Sequence, residues 1–142
     1  MPEIRHLLGI IDPSGQKVFE ALTANQDLVA WLTPTVQGQP FLNQMFKLEF
    51  GQETVDLKVT KLDNGSWVQW SCTGGEFEWL NTKVNFILEV NPQVTIVEFI
   101  HSDWQDSSRK FSEWSFNWAL YLRSLKKYCE SGTGSAYPNQ MT

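Results

Sequence analysis

An α+β domain, in which one curved antiparallel sheet wraps a long C-terminal helix, is predicted by three features of the sequence. A pair of short helices lies near the N-terminus, strands then follow one another without a crossover helix, and one aromatic-rich helix closes the chain. Strands joined without crossovers pair antiparallel, and the apolar face of such a sheet needs a helix to cover it. With 142 residues the chain has the length of one domain, expected over 1–134, with 135–142 (SAYPNQMT) as a flexible end.

The elements follow in order. Residues 3–12 (EIRHLLGIID) are apolar on both faces, as in a central strand. Asp12-Pro13-Ser14-Gly15 breaks the strand, and Ser14 is the expected cap of a helix over 15–23, with Val18, Phe19 and Leu22 on its apolar side. Asn25 is the expected cap of a second short helix carrying Leu28, Trp31 and Leu32, ended by Thr33-Pro34. A short edge strand near 35–37 precedes a strand over 41–50, with Leu42, Phe46, Leu48 and Phe50 on one face. Strand 54–62 alternates through Val55, Leu57 and Val59. Asn64-Gly65 then signals a type I′ hairpin turn into strand 66–72, with Val68, Trp70 and Cys72 inward. A loop over 73–81 leads to strand 82–90 and, past Asn91-Pro92-Gln93, to strand 94–101, which is apolar on both faces. In the last helix, about 107–130 with Asp106 or Ser107 as cap, Phe111, Trp114, Trp118, Tyr121, Leu122, Leu125 and Cys129 recur at three- and four-residue steps. Gly132 stops it.

Composition narrows the function. Eleven basic against sixteen acidic residues give a net charge of −5, which argues against nucleic acid or an anionic membrane surface as partner. The cluster Arg123, Lys126, Lys127 is expected to be a solvated face complementing the helix C-terminus. Two cysteines make no disulfide framework. The start has no signal pattern and no apolar run approaches membrane-spanning length, so a cytoplasmic protein without membrane insertion is expected. Seven Trp and nine Phe are the outlier. They serve either as core mass or as the rigid wall of a pocket.

Four segments carry a resemblance: KVFEALT at 17–23 with Trp31 after it, EWLNTKVNFILE at 78–89, EFIHSDW at 98–104 and WALYLRSLKKYCESGTG at 118–134. The chain resembles the START-like (SRPBCC, helix-grip) superfamily, and within it the small bacterial relatives of the heat-shock-protein ATPase activator homologues. Asp103 and Asn81 stand where relatives carry glycine, and Cys129 where leucine is usual. The resemblance implies a hydrophobic cavity between sheet and closing helix, and it implies no single activity.

The leading expectation is a protein that binds a small apolar or amphipathic, lipid-like molecule without chemistry. Trp31, Phe46, Trp70, Phe86, Phe99, Trp118 and Leu122 are expected to border the cavity, with His101 at its edge. The alternative is a cyclase- or hydratase-like enzyme using His101 as acid–base group, with no partner nucleophile or second carboxylate identified. A stress-related or co-chaperone role rests on the family name alone. Two His and two Cys, far apart, give no zinc spacing, Gly132-Thr133-Gly134 is no phosphate loop, and no cofactor is implied. Gln44 and Arg109 are expected at the pocket rim. Phe116 with Leu120, and Val94, Ile96 and Ile100, form apolar patches to be covered by the tail with Tyr137 or, in a homodimer, by a second copy.

Overall fold

In a computed structural model, which describes residues 1–12 and 14–142, seven strands and three helices follow the expected order. They are β1 (Ile4–Ile10), α1 (Gln16–Thr23), α2 (Asn25–Trp31), β2 (Thr35–Gly38), β3 (Met45–Phe50), β4 (Glu53–Asp63), β5 (Trp67–Gly75), β6 (Lys83–Val90), β7 (Thr95–Ser102) and α3 (Arg109–Ser131). The strands make one sheet in the order β1-β7-β6-β5-β4-β3-β2, antiparallel throughout. Register shifts at Asp56/Leu57 and Val59/Lys61 bulge the β4–β5 pair, and bulges of this kind bend a sheet. Helix α3 lies on its inner face, where Trp114 meets Phe50, and Trp118 meets Phe86 and Phe99.

Several local expectations change. Strand β1 sits at the sheet's edge and not at its centre: Ile4 and Ile10 are buried, whereas Leu7 on the other face is 72% exposed. The stretch 41–44 is a turn before β3, with Asn43 at φ 65°, so Leu42 leaves the inner face and is exposed. At the β4–β5 hairpin positive φ occurs at Gly65 and not at Asn64, and Ser66 N–H bonds Asp63 O. That is not the type I′ geometry, which needs two such residues; Asp63 pairs with Trp67, so the loop has three residues and not two. Strand β5 runs on to Gly75, which shortens the following loop.

Helix caps move as well. The residue before α1 is Gly15, in the left-handed region at φ 71°. Ser14 Oγ accepts from Gln16 N–H, while the buried Asp12 carboxylate accepts from Val18 N–H. Pro13 of the expected break lies outside the described residues. Ala24 precedes α2, and Asn25 instead donates its side-chain amide to Gly38 O. Helix α3 is capped by Ser108, whose Oγ accepts from Phe111 N–H, and Gly132 ends it at φ 88°.

The last residues lie against the body. Ser135 N–H donates to Ser124 Oγ, Tyr137 N–H donates to Leu32 O, and the Tyr137 ring meets Phe50. A Cβ at Gly134 would stand 2.6 Å from Ala30 O, so this close approach requires glycine. Tyr137 therefore covers the β3 end and α2, not the Val94, Ile96, Ile100 face, whose side chains stay half-buried. Arg123 and Lys127, expected to be solvated, tie this segment down through Thr142 O and Ser135 Oγ.

Candidate functional site: the aromatic interior around His101

Alternation along β5, β6 and β7 aims Trp70, Phe86, Phe99 and His101 at the same face, and the three- to four-residue stripe of α3 brings Trp114, Trp118 and Leu122 onto it. All are buried, with Trp31 and Phe46 beside them. The rings touch in a continuous chain: Phe46 to Trp70 at 5.3 Å between centroids, Trp70 to Phe86 at 5.0 Å, Phe86 to Phe99 at 5.3 Å and Phe99 to Trp118 at 4.6 Å. Trp31 joins through Phe86 at 6.4 Å. The expected lining residues are thus brought together, and where the resemblance implied a space their rings meet one another. Phe46 and Leu122 also line concavities open to the surface, in different places. Gln44 and Arg109 are exposed.

His101 sits at one end of this cluster, fully buried, and both its ring nitrogens are engaged. Trp118 Nε1–H donates to Nδ1 at 3.1 Å, which makes Nδ1 the acceptor and leaves the proton on Nε2. Nε2–H donates to Thr82 Oγ1 at 2.8 Å, and the Thr82 hydroxyl passes its own proton to Trp79 O at 2.6 Å. The relay joins β7, the start of β6, the preceding loop and α3 through one neutral imidazole. Burial without a nearby carboxylate pushes its pKa down from 6.5 to about 3. Held this way, the ring has no free lone pair to act as base and no second proton to give.

Trp79 and Trp104 enclose His101, at 4.5 and 4.8 Å between centroids, and both are buried. Trp79 falls within the 78–89 segment that carries the family resemblance. Trp104 went unassigned because it falls in a loop, where no periodicity marks the inward side; its place in the His-Ser-Asp-Trp run was the available signal. Above it, Phe77, Glu78, Trp104, Gln105 and Asp106 line a concavity of about 140 Å³. The indole N–H groups of Trp70, Trp79 and Trp104 are buried and meet no acceptor on the described residues. Trp31 differs, since its N–H reaches Ala21 O at 2.8 Å.

The two loops beside His101 are shaped by unusual backbone. Asn81 and Asp103, where the resemblance implied glycine, both stand in the left-handed region, at φ 68° and 70°. Asn and Asp tolerate it better than other side chains do, and glycine tolerates it best. Asn81→Gly is expected to be neutral or to stabilise the protein by up to about 1 kcal/mol in urea unfolding, whereas Asn81→Ala should destabilise it by about 1 kcal/mol. Equal effects of the two would mean that backbone conformation is not what the position selects. The cysteines are inert neighbours: burial raises the Cys72 thiol to about 11 and Cys129 to about 12, leaving both as protonated core groups at neutral pH.

A sheet gripping one long helix over a sealed aromatic interior defines a START-like domain. Comparison with solved structures narrows the class. The Aha1 dimer from Colwellia psychrerythraea, a solution structure, is 33% identical, with a TM-score of 0.86 over 94% of this chain and 100% of that one. The chain belongs to the Aha1-like family of START-like proteins. Two more distant structures share the fold. DynU16, a putative protein in the dynemicin biosynthetic locus, is 18% identical with TM-score 0.77 over 95% of this chain and 49% of that one. CalU16 from Micromonospora echinospora is 18% identical with TM-score 0.75 over 98% of this chain and 79% of that one. No family model and no curated protein matches the chain. No helix among the described residues is long and apolar enough to cross a membrane.

Proposed function

We propose that the chain binds a small amphipathic molecule, largely apolar with one or two hydrogen-bond acceptors, among the aromatic side chains between the sheet and α3. The observation that carries this reading is the set of unpartnered indole N–H groups on Trp70, Trp79 and Trp104. Leaving a buried donor unpaired costs about 1–3 kcal/mol, and contacts with aromatic faces offset only part of that. Phe would fill similar space without the cost. A carbonyl, ester or carboxyl group seated among these rings recovers it. The packed interior means that the ligand enters by displacing a ring, and the concavity floored by Trp104 is the route we favour. The apparent affinity then carries the free energy of opening. Free, buried cysteines fit a cytoplasmic protein. We propose further that this chain pairs with itself, as its Colwellia psychrerythraea relative does.

Native mass spectrometry of freshly purified protein is expected to show a bound small molecule. A fluorescent fatty-acid probe should bind the wild type, and the double variant Trp79→Phe, Trp104→Phe should bind it about tenfold more weakly, one hydrogen bond's worth, at a stability equal to or above that of the wild type. No adduct, and no probe uptake by the wild type or by Trp118→Ala, would remove the proposal.

A further inference from the structure

We infer that the outer edge of β1, with the groove between β1 and α3, is where a second copy of this chain adds its own β1, antiparallel, to make one continuous sheet. The inference rests on the reading that the chain pairs with itself, and it assigns the surface.

The two edges of the sheet differ. Strand β2 has four residues, ends in a left-handed glycine, and has its Gly38 carbonyl taken by Asn25. Such an edge is blunted. Strand β1 runs seven residues in unbroken register with β7, without proline, lysine or bulge. Ladder parity shows which of its groups face outward. Leu88 N–H bonds Ser66 O, so even residues of β6 face β5 and odd ones face β7. Carried across β7, this commits the even residues of β1 to the ladder and turns the odd ones outward. Two side-chain bonds agree independently: Gly9 O accepts from Lys126 Nζ at 2.6 Å, and Ile11 N–H donates to Glu130 at 2.8 Å. Those caps close one end of the edge. At the other end Arg5 and Leu7 direct N–H and C=O outward, and no side chain among the described residues bonds them.

Beside that open stretch lies a largely apolar groove of about 260 Å³, with His6 and Leu8 on one wall and Ala119, Leu122 and Arg123 on the other. Phe116, 59% exposed, lies on α3 between Ser115, whose carbonyl His6 bonds, and groove-lining Ala119. A second β1 fits this site by its own chemistry. With a two-fold axis at His6, Arg5 of each copy exchanges both backbone hydrogen bonds with Leu7 of the other. Glu3 of each copy then falls opposite Gly9, beside Lys126, which in the single chain is paired with Glu130 at 2.7 Å.

The test uses the full chain in light scattering, joined to amide hydrogen exchange at two protein concentrations. The wild type is expected at twice 16.4 kDa, with Arg5 and Leu7 amides slowing as concentration rises. Leu7→Pro removes an outward N–H that the β1–β7 ladder does not use, and should return the mass to that of one chain. Leu7→Lys should do the same, and it keeps the experiment readable if the proline prevents folding. A dimer unaffected by both variants, with Arg5 and Leu7 exchanging freely, overturns the assigned surface while leaving self-pairing intact. A monomeric wild type overturns both the assigned surface and self-pairing.

Discussion

Trp118→Ala is expected to lose about 5 kcal/mol, the largest effect of any single substitution in the interior. Truncating a buried Trp costs about 3–5 kcal/mol through lost transfer energy and the cavity left behind. Here the same change strips His101 Nδ1 of its donor, and an unpaired buried acceptor adds about 1–3 kcal/mol when its surroundings cannot collapse onto it. Besides His101, Trp118 has five aromatic neighbours (Trp79, Phe86, Phe99, Trp114 and Tyr121), each held by its own segment and so poorly placed to fill the gap. Trp118→Phe separates the terms, since it keeps most of the ring and removes the N–H, and about 2 kcal/mol is expected. Urea unfolding of both variants decides the matter. Equal losses for Phe and Ala would mean that ring volume contributes little beyond the hydrogen bond. A loss below 1 kcal/mol for Phe would mean that the bond to His101 contributes nothing.

Acid should weaken the fold through His101. The unfolded chain takes up a proton on this ring near pH 6.5, whereas the folded protein resists doing so until about 3. Between those values the unfolded state binds the extra proton, so stability falls as pH falls, and above 6.5 the contribution is complete. Each pH unit inside the window removes about 1.4 kcal/mol, or about 3 kcal/mol between pH 6.5 and 4.5. Carboxylates contribute their own acid sensitivity, so the comparison is with His101→Gln, whose amide retains one acceptor and one donor without titrating. The wild type is expected to lose about one proton's worth more per pH unit than the variant, and its His101 resonances should not shift between pH 8 and 5. Parallel pH profiles, or a ring that titrates near 6, would contradict the neutral, doubly bonded histidine.

The fold was readable because periodicity is local. Val84, Phe86 and Leu88 alternate within one strand, Trp114, Trp118 and Leu122 recur within one helix, and neither pattern needs knowledge of what lies opposite. That these residues are buried together followed from the same patterns, as did Gly132 as the helix stop. Misreadings gathered where neighbours outvote propensity. An apolar strand passed for a central one because Leu7 shows nothing in sequence of its place at the sheet edge. Asn64-Gly65 lost its type I′ geometry because Asp63 pairs with Trp67, leaving a three-residue loop, and Ser14 gave up the cap of α1 to Gly15 while still bonding Gln16 N–H.

By itself, then, the sequence determined the order of elements, the antiparallel sheet, the closing helix and the identity of the residues that meet inside. Those follow from side-chain period and turn chemistry, which act over a few residues. The tertiary structure alone decided that the aromatic rings close on one another, that His101 is locked neutral between Trp118 and Thr82, and that β1 leaves an open edge. Each depends on groups far apart along the chain, such as His101 with Trp118 or Gly9 with Lys126, whose distance and direction are set only when sheet and helix pack together.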